Sequence, residues 1–74
     1  MTRLPTLSAQ KIIRALERAG FEFEGQKGSH YYLYHPIKEL TTCVPVHGGD
    51  VKRSLLKLII KQVGLSEDEF HELI

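Results

Sequence analysis

The sequence predicts an α+β fold in the order α-β-β-β-α-α, with a three-stranded antiparallel sheet and helices packed on one face. Apolar residues recur at helical spacing near both ends of the chain, whereas the middle is rich in aromatic and β-branched residues with a period of two. Glycine or proline separates the segments. Because the chain has 74 residues, we expect one domain, 1–74, with its chemistry on an open face rather than in a deep pocket.

The first helix is predicted to start after Ser8, a good N-cap, and to end at Gly20, a residue typical of helix ends. Its apolar stripe should face the core. The stripe consists of Ala9, Ile12, Ile13, Leu16 and Ala19.

Three strands should follow the helix. Residues 21–24 alternate apolar and charged side chains, which indicates a first strand with one buried face. Gly25 and residues 27–29 are predicted to turn the chain into a second strand, 30–35. After a loop at 36–40, residues 41–47 form a third strand, and its Pro45 indicates that one edge lacks a backbone partner there.

A second helix should run from about Asp50 or Ser54 to Val63 and end at Gly64. Its apolar stripe consists of Leu55, Leu56, Ile59, Ile60 and Val63. Residues 66–69 form a capping-box pattern that opens a short last helix. We expect this helix to dock on the core through Phe70, Leu73 and Ile74.

The faces of the strands follow from their alternation. Leu33 and Tyr31 should face the core, so His30, Tyr32 and Tyr34 should face outward. A hairpin loop centred between residues 38 and 39 predicts three cross-strand pairs: Leu33 with Val44, Tyr31 with Val46, and His30 with His47. Two histidines would then meet on the outer face.

The first strand keeps its core face if Phe23 lies opposite Tyr31 or, alternatively, opposite Leu33. The first pairing places Glu24 beside His30, where a carboxylate would raise a histidine pKa.

Composition excludes several classes of protein. The lone Cys43 excludes an internal disulfide, and the chain has neither an apolar run of membrane length nor a signal-like N-terminus, so we expect a cytoplasmic protein. Residues 1–65 carry ten Lys/Arg against five Asp/Glu, whereas residues 66–74 carry four acidic residues and no basic ones. A mildly basic body can attract phosphates.

Several of these segments, in this order, resemble the HicA family. Residues 26–30, Gln-Lys-Gly-Ser-His, look like its Gly-Ser-His motif, and Pro45-Val46-His47 looks like its Pro-x-His strand end. Residues 56–66, followed by Glu69-Phe70, resemble its second helix and tail, and Ala19-Gly20-Phe21 resembles the end of its first helix.

The resemblance implies a fold similar to double-stranded-RNA-binding domains and a toxin of a toxin–antitoxin pair. Such toxins cleave messenger RNA, depend on the histidine of the motif, here His30, and are silenced by a HicB-like antitoxin. We expect the antitoxin to cover the outer face of the sheet, because the histidines should lie there. The chain departs from the family at Ser54, where glycine is usual, and at Gly25, where a basic residue is common. Ser54 is a good N-cap, whereas Gly25 would weaken phosphate binding.

The residues suit RNA cleavage by the substrate's own 2′-hydroxyl, with no metal or cofactor. His30 would act as general base, since histidine titrates near working pH. Lys27 and the backbone N–H groups of Gly28 and Ser29 would bind phosphate. His47 is a candidate for a second proton-transfer or phosphate-binding group. The outward Tyr32 and Tyr34 would stack on unpaired bases of single-stranded RNA.

Two other functions fit the sequence: a non-catalytic RNA-binding module and a protein-interaction domain. His35 and His71 are assigned no function, and Cys43 is assigned to packing. A zinc site formed by His30, Cys43 and His47 is disfavoured, because residues 43 and 47 would lie roughly 13 Å apart along one strand.

Overall fold

The computed structural model describes residues 4–46 and 48–74 of the chain. It contains the predicted helices and strands, and it adds two short strands. The elements in chain order are β1 Leu7–Ser8, α1 Ala9–Arg18, β2 Glu22–Lys27, β3 His30–His35, β4 Leu40–Pro45, β5 Asp50–Val51, α2 Arg53–Gln62 and α3 Glu67–Leu73. The sheet is antiparallel in the order β2-β3-β4. The predicted α+β class is therefore confirmed.

Helix α1 begins and ends where the sequence indicates. The Ser8 hydroxyl accepts a hydrogen bond from the backbone N–H of Lys11 at 3.4 Å, which satisfies one of the donors left free at a helix start. At the other end Gly20 has a φ of +102°, a backbone conformation that favours glycine. One side of the helix is buried, and its residues there are Ala9, Ile12, Ala15 and Leu16.

The core lies between the helices and the inner face of β3 and β4. Leu33 and Val44 are fully buried there, together with Phe70 of α3. By the usual area bookkeeping, burying one such side chain stabilises the fold by about 2 kcal/mol. The helices contact β4 far more than β2, so β2 extends beyond their cover.

Strand β2 lacks the buried face predicted for residues 21–24. Phe21 precedes the strand and is buried, whereas Phe23 is 56% exposed. Phe23 pairs with Leu33, the second of the two predicted pairings, and packs its ring 4.9 Å from the ring of Tyr31. Because the helices lie mainly against β4 rather than β2, alternation alone does not bury Phe23.

The β3–β4 hairpin is two residues out of the predicted register. Leu33 lies opposite Thr42, and His30 lies opposite Pro45. The predicted pairs are therefore wrong: Leu33 with Val44, Tyr31 with Val46, and His30 with His47. His47 itself lies outside the described residues.

The loop at residues 36–39 explains the shift. The backbone N–H of Glu39 donates to the carbonyl of His35 at 2.8 Å, and Glu39 takes a positive φ of 55°. This tight turn lets Leu40 pair directly with His35. Because the side-chain period of a strand is two, a shift of two residues leaves every side chain on its predicted face.

The region after β4 differs from the prediction at three points. Strand β4 ends at Pro45, and Asp50–Val51 pairs with Leu7–Ser8 as a separate two-stranded sheet. Helix α2 starts at Arg53 with Lys52 as its N-cap, so Ser54 lies inside the first turn and is not the cap.

Helix α3 opens with the predicted capping box. The Ser66 hydroxyl accepts from the Glu69 N–H at 3.0 Å, and the Glu69 carboxylate accepts from the Ser66 N–H at 2.9 Å. Phe70 is buried and Leu73 packs against the core, but Ile74 is 40% exposed, so its predicted docking is wrong.

Candidate active site

The turn between β2 and β3 places Lys27 and His30 side by side. They are direct cross-strand partners, joined through Gly28 and Ser29. Gly28 has a φ of +60°, as the first central residue of a type II′ hairpin turn requires. Directly opposed residues point to the same face of a sheet with Cβ atoms about 5 Å apart. The local sequence therefore starts a lysine and a histidine side chain from neighbouring positions on one face of the sheet.

His30 is exposed at the first position of β3. Its Nδ1 lies 3.5 Å from the sulfur of Cys43. Its ring centroid lies 6.5 Å from that of Tyr32, tilted by 41°. One edge of the imidazole thus contacts protein, while the residue as a whole remains open to a large substrate.

Glu24 does not lie beside His30, contrary to one of the two predicted pairings. The register of β2 shifts between Phe23 and Gly25, and Glu24 is the residue skipped by this bulge. A bulge leaves its extra residue unpaired and bends the strand. Beyond the bulge the pairing resumes: Gly25 lies within β2, opposite Tyr32, rather than in the predicted turn. Lys27 takes the position opposite His30.

Cys43 is the site residue that sequence reasoning missed. In the observed register it lies directly opposite Tyr32 and diagonal to His30, whereas the predicted register would have placed it opposite Tyr34. Burial raises the pKa of the Cys43 thiol, with a hydrogen bond to Tyr32 acting in the opposite direction. The thiol is therefore neutral near pH 7. A shorter hairpin loop in the sequence-based register would have found this contact.

A groove runs from His30 and Cys43 to helix α2. Its volume is about 270 Å³. The far wall carries Leu58, which is 51% exposed. The residues that line it are His30, Cys43, Pro45, Leu55, Leu58, Ile59 and Gln62. Leu55 belongs to the helical stripe predicted to be buried, but it lies at the rim of this groove.

The two tyrosines predicted to bind RNA bases are both half-buried. Tyr32 lies directly opposite Cys43, and its ring borders that of His30. Tyr34 lies further along β3 and pairs with Thr41 and Glu22. The structure thus brings Lys27, Tyr32 and His30 together and places Tyr34 at a distance along the strand.

His35, at the other end of β3, is buried, and its ring nitrogens bind backbone groups. Its Nδ1 accepts the backbone N–H of Lys38 at 3.1 Å, and its Nε2 lies 3.2 Å from the carbonyl of Ala19. Because Nδ1 accepts, Nε2 carries the proton and donates to Ala19. This neutral imidazole has no free nitrogen for chemistry.

Neither a metal cluster nor a membrane span occurs in residues 4–46 and 48–74. No three histidine, cysteine or acidic side chains come together there as a metal ion would need. None of the helices in these ranges is long and apolar enough to cross a membrane.

Comparison with known proteins gives one family. The family described as HicA toxin of bacterial toxin-antitoxin matches residues 9–65, which include the turn and β3 and end just after α2. Among curated proteins, no match to the chain is found.

Proposed function

Because the chain belongs to the HicA toxin family of bacterial toxin–antitoxin systems, we propose that it is an endoribonuclease that cleaves messenger RNA with His30 as general base. Membership of the family makes it the toxin of such a system, with an antitoxin as its partner. The observation that carries the proposal is the direct pairing of Lys27 with an exposed His30 across one hairpin turn.

The chemistry uses the RNA's own 2′-hydroxyl as nucleophile. His30 takes its proton, the 2′-oxygen bonds to phosphorus, and the bond from phosphorus to the 5′-oxygen breaks. The 5′-oxygen then takes a proton from water. The products are a 2′,3′-cyclic phosphate and a 5′-hydroxyl, and this route requires no metal.

Lys27 supplies positive charge where the phosphorane oxygens become more negative. Lys27 is exposed and is the direct cross-strand partner of His30, so its side chain leaves the sheet on the same face. The N–H groups of Gly28 and Ser29 sit at the tip of the turn and add hydrogen-bond donors. Preorganised donors of this kind are often worth more than the proton transfer itself.

Tyr32 and Tyr34 provide aromatic surface for unpaired bases. Both side chains are half-buried on the outer face, which leaves part of each ring accessible. Stacking of a base on an aromatic side chain is worth about 1–3 kcal/mol and tolerates any base. His47 is proposed as a second proton-transfer or phosphate-binding group on the basis of its place in the Pro45-Val46-His47 segment.

The antitoxin is proposed to be HicB-like and to cover the outer face of the sheet. That face carries His30 and Tyr32, and it adjoins the groove between β4 and α2, where Leu58 is 51% exposed. Leu55 is also partly exposed in this groove, and neighbouring exposed apolar side chains are a feature of surfaces that bind a partner. Binding there would exclude RNA by direct occlusion.

The decisive experiment compares His30→Ala with His71→Ala, which removes another exposed histidine on α3. General-base catalysis contributes roughly 10²–10⁴-fold. We therefore expect His30→Ala to lower the RNA cleavage rate by about that factor and to abolish growth arrest. Both variants should keep the wild-type circular dichroism and melting temperature. The fragments should end in 2′,3′-cyclic phosphates.

The other outcomes separate the alternatives. RNA binding without cleavage by the wild-type chain would indicate a non-catalytic binding module, and neither activity would leave a protein-interaction domain. Growth arrest that persists in His30→Ala, or fragments with 3′-hydroxyl ends, would contradict the proposed mechanism. Lys27→Ala should weaken RNA binding and reduce the slope of log affinity against log salt by about 1.

A further inference from the structure

We propose that Cys43 is a positioning residue for His30, whose sulfur binds Nδ1 of the ring so that Nε2 is presented to the 2′-hydroxyl. The proposal rests on the proposed function, and it assigns a role to a residue that the sequence reserves for packing. Its basis is the 3.5 Å contact between Sγ and Nδ1.

The position of Cys43 follows from the sheet. It lies on β4, directly opposite Tyr32 and two residues from Pro45, the cross-strand partner of His30. It therefore points to the same outer face as His30 and reaches it diagonally. On β4, Pro45 presents no hydrogen-bonding side chain to His30, and the diagonal neighbour Cys43 makes the contact with the imidazole.

An exposed histidine needs such a partner to act as a base. The imidazole torsion is broad and roughly two-fold, so an unrestrained ring presents either nitrogen to the substrate. The Tyr32 ring, 6.5 Å away and tilted by 41°, borders His30 without binding its nitrogens. The Cys43 sulfur breaks this symmetry at Nδ1.

The direction of the hydrogen bond follows from the required protonation states. For Nε2 to accept the 2′-hydroxyl proton, Nδ1 must already carry one, and it donates to Sγ. A thiol sulfur is a weak acceptor and S–H a weak donor, whereas the imidazole N–H is a better donor. After proton transfer both ring nitrogens carry protons, and the Nδ1–H bond to sulfur becomes charge-assisted.

Cys43 is not itself the nucleophile. Burial raises the pKa of its thiol, whereas nucleophilic cysteines beside histidine have a lowered pKa and react as thiolates. The arrangement is instead a base oriented by a third group, in which a neutral thiol takes the place usually held by a carboxylate or amide.

The test uses Cys43→Ala and Cys43→Ser, with Thr41→Ala as the matched control. Thr41 is exposed on the same face of the same strand but lies opposite Tyr34, away from His30. The first readout is the tautomer of His30, obtained from ¹⁵N–¹H correlation of its ring nitrogens in the full chain without RNA. The second is the single-turnover cleavage rate on a pool of single-stranded RNA, measured together with the RNA affinity.

We expect wild type and Thr41→Ala to hold the Nδ1–H tautomer in excess and Cys43→Ala to lose that excess. Because the bond to sulfur is weak in the neutral ring and becomes charge-assisted as the ring takes the proton, its loss corresponds to roughly a tenfold lower cleavage rate in Cys43→Ala, with unchanged RNA affinity. Cys43→Ser, whose hydroxyl also accepts, should recover most of the loss.

Three results would overturn the proposal: the same tautomer ratio in wild type and Cys43→Ala, a wild-type cleavage rate in Cys43→Ala, or equal losses in the Ala and Ser variants. A wild-type chain that retains the tautomer bias but cleaves no RNA would instead overturn the proposed function, and with it any catalytic role for Cys43. The tautomer is read without substrate, so the two failures are distinguishable.

Discussion

His30 and His35 are the two ends of the same strand, and they lie in opposite environments. His30 is exposed and contacts one sulfur through Nδ1, whereas His35 is 8% exposed and uses both ring nitrogens on backbone groups. Phe21 packs edge-on against the His35 ring at 5.0 Å. The same side chain is thus a candidate base at one end of β3 and a structural cross-link at the other.

The difference follows from the alternation of side chains between the two faces of a strand. Five positions separate the two histidines, so they point to opposite faces of the sheet. The inner face is covered by helices, and a polar group buried there must be hydrogen-bonded. The end of α1 and the loop at 36–39 supply the partners of His35 through Ala19 and Lys38. The outer face imposes no such demand, and among the described residues the hydrogen-bond contact of the His30 ring is that of Nδ1 with Cys43.

The largest effect should come from His35→Ala. It removes buried ring volume and leaves the Ala19 carbonyl and the Lys38 N–H without partners. Unsatisfied buried groups and cavities each cost about 1–3 kcal/mol, so we expect unfolding to become easier by roughly 3 kcal/mol in urea titrations.

His30→Ala is the matched variant, because it removes the same side chain from the exposed end of the strand. Its free energy of unfolding should stay within about 0.5 kcal/mol of wild type. Equal destabilisation by the two variants would contradict the division of roles along β3. The cleavage rate per folded molecule should be unchanged in His35→Ala.

The glycines beside the two histidines sharpen the comparison. Gly20 and Gly28 both have positive φ, of +102° and +60°. A Cβ on Gly20 would lie 2.7 Å from Nε2 of His35, whereas a Cβ on Gly28 would meet nothing within 4 Å. Backbone strain alone costs about 1–2 kcal/mol. We therefore expect Gly20→Ala to destabilise the fold by about 1 kcal/mol more than Gly28→Ala in thermal or urea unfolding.

A double-mutant cycle checks the cause of that excess. In the His35→Ala background the clash is gone, so the cost of Gly20→Ala should fall by about 1 kcal/mol from its cost in wild type. An excess that persists without the His35 ring would place the strain elsewhere in the α1–β2 connection.

Local signals in the sequence predict the ends of the elements well. Ser8, Gly20 and the Ser66–Glu69 capping box each satisfy or relieve backbone groups within a few residues, so they act independently of the tertiary fold. The limits of β3 and the outward face of His30 follow from composition and alternation. These features locate the turn at 27–30 without a structure.

Features that depend on contacts between distant segments are predicted less well. The register of β3 with β4 depends on how the loop at 36–39 closes, and the left-handed backbone of Glu39 carries no sequence signal. The bulge at Glu24 and the exposure of Phe23 depend on where the helices stop covering the sheet. The contact between Cys43 and His30 depends on this register, so the sequence alone does not predict it.

The smallest effect should be a pH dependence that belongs to neither end of β3. The backbone and side-chain hydrogen bonds of Ser66 hold the pKa of Glu69 below its ordinary value of 4.5. A lowered pKa in the folded state stabilises the fold above that ordinary value, and the contribution is lost as the pH falls through the folded-state pKa. Glutamine keeps the capping box but carries no charge, so Glu69→Gln isolates the charge.

We therefore expect the melting temperatures of wild type and Glu69→Gln to differ slightly at pH 6 and to converge as the pH falls below 4.5. Glu72→Gln, which alters a carboxylate beyond the first turn of α3, is the control and should show no such convergence. Convergence should also survive in His30→Ala and His35→Ala, since the effect arises at the start of α3. If it disappeared in His35→Ala, the buried histidine would be coupled to the C-terminal helix, and its role would extend beyond joining α1 to the loop at 36–39.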